Sequence, residues 1–165
     1  MTDFPWLSAA LLLPILGAVV VALLPARDGD LPNRVAFGFS LLTLVLVALV
    51  GVGFDSGGDR YQFTETLDWI PAFGAHYALG IDGIGLTLVL LTAILTPVVI
   101  LASWNDADGG RWSVGSFFAW MLALEGLAIG VFAAMDVFLF YVFFEATLIP
   151  IYFLIGGFGG PRRAV

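Results

Sequence analysis

Apolar and polar positions do not alternate along most of this chain; they fall into long blocks. Uncharged runs occupy residues 6–24, 35–54 and 83–104, and two more, 114–134 and 137–157, are each interrupted by one acid, Glu125 and Glu145. At ~1.5 Å per helical residue, runs of about 20 residues match a hydrocarbon layer ~30 Å thick, so each predicts a transmembrane helix. Barrel strands would be about half as long and would alternate in polarity. The expected fold class is an all-α polytopic membrane protein with five transmembrane helices.

Between the second and third runs the pattern changes. Tyr61, Phe63, Leu67 and Trp69 alternate with Gln62, Thr66 and Asp68, the period of a half-buried strand; residues 71–74 offer a turn, and 75–79 extend again. The loop 55–82 is therefore expected to be a β-hairpin lying on one membrane face, with Asp82 as N-cap of the third helix. Pro14 and Pro97 fall near the middle of their spans and predict packing features or kinks there. Gly126 and Gly130, four apart, permit close helix contact.

Composition changes the picture in two ways. Apolar residues make up 61% of the 165 residues and charged ones 12%, well outside the range of water-soluble domains. The net charge of −7, with six Arg and no Lys, disfavours a nucleic-acid partner or an anionic lipid surface, leaving the bilayer itself as the medium. With no Cys and one His, the chain has no means to build a disulfide, an iron–sulfur cluster, a thioether-linked haem or a Cys/His zinc site, so no cofactor or metal site is expected within it. Residues 105–110 superficially suggest a calcium turn but lack the later ligands of such a loop, and the glycines at 80, 83 and 85 follow no βαβ strand. His76 is expected to have a surface or hairpin hydrogen-bonding role rather than to ligate a metal.

Loop arginines give an orientation. Arg27, Arg34, Arg111, Arg162 and Arg163 lie on one side against Arg60 on the other, which places the N-terminus and hairpin outside and the C-terminus in the cytoplasm. The first span follows an acidic, not basic, leader and is read as retained.

The candidate chemistry sits at the two acids inside spans, where a charge costs ~2.5–3.5 kcal/mol at a helix centre. Glu145 shares a helical face with Tyr141 and Tyr152, and Pro150 leaves the Ala146 carbonyl without its usual donor, so polar groups gather around it. Glu125 has an apolar face, and a carboxyl that merely hydrogen-bonds between helices is the plain alternative for either residue. Counted from the turn at Asp136, Glu125 lies eleven residues before and Glu145 nine after, about 16 and 14 Å along antiparallel axes, hence at similar depth. If their faces met they would titrate as a coupled pair. No cation lies within a span, so a partner for Glu145 must come from elsewhere.

The run FAAMDVFLFYVFFEATLIPIYFLIG (132–156), with WIP (69–71), LGIDGIGL (79–86) and MLALEG (121–126), closely resembles the chain M (subunit 4) family of proton-pumping NADH:quinone oxidoreductase, respiratory complex I. The resemblance runs nearly the length of the chain. It implies the N-terminal part of an antiporter-like inverted-repeat fold: residues 1–104 as three leading helices with the hairpin loop, and 105–165 as the first two helices of a first repeat, broken off. It further implies redox-driven proton translocation through Glu145, with Glu125 as a possible coupled carboxyl and Tyr141, Pro150 and Tyr152 in support. NADH, FMN, iron–sulfur clusters and quinone would be bound by partner subunits, and the other membrane-arm subunits would be the partners, in the plasma membrane of a prokaryote. Subunits of multisubunit Na⁺/H⁺ antiporters and energy-converting hydrogenases share the fold and are the alternatives, together with a truncated, purely structural membrane subunit.

Overall fold

The computed structural model describes residues 5–24, 31–55, 57–58, 61–70, 72, 74–102 and 114–158. Five helices and one hairpin follow in the order α1 (Trp6–Leu23), α2 (Leu31–Gly53), β1 (Gln62–Ile70), β2 (Ala75–Ile81), α3 (Gly83–Ala102), α4 (Val114–Ala133) and α5 (Val137–Phe158). All five helices are long and apolar enough to cross a membrane, as the block pattern requires. Arg27, Arg60, Arg111, Arg162 and Arg163, the 105–110 turn and the residues after 158 lie outside the described residues.

Helix ends differ from the hydrophobic runs most at α2, which begins four residues early. Leu31, Pro32, Asn33 and Arg34 form its first turn. Proline costs nothing there, because the N–H it lacks would have no partner anyway. Arg34 is thus part of a helix rather than of a loop, exposed at its end. α1 and α3 continue through Pro14 and Pro97, both buried.

α4 is the central element, packed against α1, α2, α3 and α5, whereas α5 packs on α4 and β2. Small residues set the closest approaches. A Cβ on Gly126 would lie 2.6 Å from both the Leu11 carbonyl oxygen and Ile15, and one on Gly130 would meet the Phe143 ring at 2.9 Å. The two glycines therefore serve different interfaces, α1 and α5. Trp120 stacks on Phe153 at 4.7 Å along the same α4–α5 seam. Two apolar clusters fill the bundle: one near the hairpin, with Leu7, Leu11, Val50, Leu79, Ile81 and Ile129, and one at the far end around Val21, Ile100, Phe118 and Leu122. Without a strong hydrophobic drive between helices in lipid, such close contacts are the main source of association.

The hairpin is antiparallel, with irregular register between Gln62 and Glu65 and again between Asp68 and Ile70. Phe63, at φ 56°, occupies the left-handed region within the first irregularity, an uncommon conformation for a bulky residue and typical of a bulge that re-aims a strand. Gly74 supplies the positive φ, 66°, that the turn needs.

Candidate functional site

Two carboxylates tie the hairpin to helix ends, Glu65 from β1 and Asp136 from the turn between α4 and α5. α1 has no side-chain cap at Pro5, yet its first N–H groups are satisfied: Leu7 N–H donates to Glu65 Oε2 at 2.9 Å and Ser8 N–H to the same oxygen at 3.1 Å, while the Ser8 hydroxyl donates to Oε1. Tyr77 Oη lies 2.7 Å from Ser8 Oγ and completes a chain from phenol to hydroxyl to carboxylate. Burial, ahead of the nearby Glu65 charge, pushes the Tyr77 phenol above its ordinary range, though its bond to Ser8 pulls the other way. An acid at a helix N-terminus is favoured both by the orphan N–H groups and by the helix dipole.

Asp136 does the same for α5. Its Oδ1 accepts from Phe138 N–H at 2.8 Å and Leu139 N–H at 3.2 Å, and its Oδ2 accepts from His76 N–H at 2.9 Å, with His76 Nδ1 3.8 Å away. The His76 amide first, then those of Leu139 and Phe138, hold this carboxyl below the usual carboxylate range. Met135 N–H adds a bond to the Ala78 carbonyl. Asp82 caps α3 as expected, accepting from Gly85 N–H at 2.7 Å. His76 lies in β2, 46% exposed, and its amide reaches outside the hairpin to Asp136; among the described residues no cluster of His, Asp or Glu is suited to a metal ion.

The two intramembrane acids occupy opposite settings. Glu145 is exposed on the outer face of α5, with Tyr141 61% and Tyr152 71% exposed beside it. Pro150 is buried on the α4 side, so of the three supporting residues the structure brings only the tyrosines to Glu145's face. Glu125 is 2% exposed and its carboxyl oxygens have no hydrogen-bond partner among the described residues. It lines a groove of about 350 Å³ between α3 and α4, with Thr92, Thr96, Met121, Ala128 and Phe132. Gly130 and Trp120 mark the α5-facing side of α4, and Glu125 lies away from it. The buried Glu125 and the exposed Glu145 do not share a site; the pairing considered from spacing alone is not brought together here, because spacing leaves rotation free.

Sequence reasoning passed over Glu65, Ser8, Tyr77 and the threonines of α3. For Glu65 the signal was available: it occupies the apolar phase of β1, between Phe63 and Leu67. Leu67 is 65% exposed, so this face of the strand puts its acid, not its leucine, toward the bundle.

No family model matches the chain. It is 42% identical, over 96% of its length, to NADH-quinone oxidoreductase subunit M of Mycobacterium tuberculosis, and 38% identical, over 99%, to the chloroplastic NAD(P)H-quinone oxidoreductase chain 4 of Chara vulgaris. These matches cover 34% and 32% of the relatives, so the chain spans about a third of the length of the curated relatives it matches. Among solved structures it is similar to a chain of respiratory complex I from Thermus thermophilus with bound NADH, at 27% identity and a TM-score of 0.72, over 90% of this chain and 28% of that one. A chain of the Mrp complex from Dietzia sp. matches in fold, with a TM-score of 0.77 at 20% identity over 96% of this chain and 16% of that one.

Proposed function

Because the chain corresponds to the N-terminal third of the subunit M family of NADH-quinone oxidoreductases, we propose that it works as the opening section of a membrane-arm subunit that moves protons, with Glu145 as the carboxyl that takes them up and releases them. One observation carries this reading. Glu145 lies within a membrane-length helix on the face that none of the other described residues covers, flanked by two exposed tyrosines. A charged carboxylate against lipid tails costs ~2.5–3.5 kcal/mol. The face therefore calls for a cover that supplies donors and a cation, and α5 has the least buried span of the five. In relatives about three times as long, further chain is at hand to provide one.

In this reading α1–α3 with the hairpin, residues 1–104, are leading helices, and α4 and α5, within 105–165, open an antiporter-like repeat. Approach of a cation favours the charged form of Glu145, and its withdrawal favours uptake of a proton from water held at the tyrosine hydroxyls. The chain contributes translocation alone. NADH, FMN, iron–sulfur clusters and quinone belong to partner subunits, which drive the cation by redox chemistry. The N-terminus and hairpin face outward from a prokaryotic plasma membrane.

The likeness to the Mrp complex concerns the fold alone; the second reading, a subunit of a multisubunit Na⁺/H⁺ antiporter, comes from the family resemblance of the sequence, and the 42% sequence identity to a quinone oxidoreductase subunit supports the first. Affinity purification of the assembled complex through this chain distinguishes them. The expected preparation oxidises NADH with quinone and contains flavin and iron–sulfur signals. A preparation that lacks these and exchanges Na⁺ for H⁺ would overturn the proposal.

A further inference from the structure

A cleft of about 590 Å³ opens where the hairpin meets the start of α5, lined by Gly74 and Ala75 of the hairpin, by Asp136, and by Val137, Phe138 and Tyr141 of α5. Two of these have side chains that bond to water, the Asp136 carboxyl at the mouth and the Tyr141 hydroxyl, ~7 Å further along the helix axis. Asp136 gives three acceptor positions to backbone N–H groups, and an ionised carboxylate has about four. With its side chain 15% exposed, it keeps one for solvent. The same bonds hold its carboxyl below the usual carboxylate range, so the mouth is negative at neutral pH. Beside it stands the half-exposed His76 ring, Nδ1 3.8 Å from Oδ2, a group able to take protons from water and return them. The space is ample for water, which occupies ~30 Å³ per molecule in the liquid.

Tyr141 joins this cleft to Glu145, which follows it by one helical turn on the same exposed face. In an α-helix every Cα–Cβ bond tilts toward the N-terminus, and the N-terminus of α5 is its hairpin end. The Glu145 side chain therefore leans over the turn of Tyr141, and Tyr141 leans into the cleft that it lines. The opposite direction is different. Leu148 and Ile149, one turn beyond Glu145, are exposed and apolar, and the next hydroxyl, Tyr152, is ~10 Å along the axis. A phenol hydroxyl accepts one hydrogen bond while donating another. As it accepts the proton of Glu145, its own hydrogen passes to the next water, leaving a carboxylate behind and a neutral phenol in between. Of the elements packed on α5, α4 has its carboxyl in the α3 groove, and β2 supplies His76 at the mouth and Tyr77, whose hydroxyl is bonded to Ser8.

We propose that the cleft between the hairpin and α5 is the aqueous vestibule of Glu145, through which its carboxyl exchanges protons with the hairpin side of the membrane by way of the Tyr141 hydroxyl. Asp136 is the fixed anion at its mouth, raising the local concentration of protons, and His76 exchanges them with bulk water. The inference rests on the reading of Glu145 as the proton carrier, and adds to it a side and a route. α5 then supplies one half of a passage, open toward its N-terminus and closed by Leu148 and Ile149 toward the other end.

Cysteine accessibility tests it in the assembled complex in its membranes, since these 165 residues contain no cysteine of their own. Tyr141→Cys and Val137→Cys, the second standing in should the first not assemble, are treated from each side in turn with a cationic, membrane-impermeant methanethiosulfonate, and labelling is read by mass spectrometry. Leu67→Cys, exposed on the hairpin, marks the hairpin side, and Ile149→Cys marks the helix beyond Glu145. The cleft cysteines are expected to react from the same side as Leu67→Cys and many-fold faster than Ile149→Cys. Their adducts are expected to lower the ratio of protons moved to NADH oxidised several-fold, while the adduct on Leu67→Cys leaves it unchanged. Cleft cysteines that react no faster than Ile149→Cys, that react from the opposite side, or whose adducts leave the ratio unaltered would each overturn the route. Unaltered pumping by Glu145→Gln would instead remove the carrier and leave the labelling pattern standing, so the two readings fail separately.

Discussion

Asp136 accepts three backbone N–H groups from two separate elements, and the ionised form is the better acceptor. Its carboxyl is held below the usual range chiefly by the His76 amide. A depressed folded value means that its stabilising contribution is fully present above the unfolded value of about 3.9 and is lost as pH falls through the lower, folded one. Hydrogen-exchange protection at the His76, Phe138 and Leu139 amides is therefore expected to stay level from neutral pH to roughly pH 4 and to fall below it, and Asp136→Asn is expected to abolish that dependence. Loss of protection already between pH 7 and 5 would contradict this role. At this scale Asp82 was legible from sequence, because a cap needs only its own helix. Glu65 and the bond from the His76 amide to Asp136 were harder, since both join residues far apart in the chain, and sequence distance hides such partners.

The seams between elements depend on where a side chain is missing. Gly126 faces a backbone carbonyl of α1, which has no rotamer by which to yield. Gly126→Val is expected to destabilise the bundle by ~1–3 kcal/mol through overpacking. Gly38, where a Cβ would meet nothing within 4 Å, serves as the control: Gly38→Ala is expected to be neutral or to gain ~0.5–1 kcal/mol from helix propensity. Thermal unfolding in detergent measures both, and equal effects would refute the assignment of Gly126 to the α1 seam. The five helices and the hairpin were legible because block length and alternation are local properties. That the pair Gly126 and Gly130 serves two partners was not, since the motif states closeness without naming the neighbour. The separation of Glu125 from Glu145 was hidden for a related reason, as helix rotation follows from packing.

For the whole molecule, orientation rests on the loop arginines. Reporter fusions after Arg34, Phe73, Arg111 and Arg163 are expected to read inside, outside, inside and inside; an external signal after Arg111 would reverse the assignment. Orientation in turn decides which compartment the Asp136 end of α5 faces, and hence from which side the Tyr141 hydroxyl, one turn from Glu145, meets water. The central claim is that the carboxyl on the uncovered face of α5 carries protons. Glu145→Gln keeps its size and hydrogen bonding and removes only its titration, so the direct measurement is the ratio of protons moved to NADH oxidised in the assembled complex bearing that change. The expected result is intact assembly with the ratio depressed several-fold, and with a smaller effect from Glu125→Gln. An assembled Glu145→Gln complex that pumps at the unaltered ratio would contradict the account.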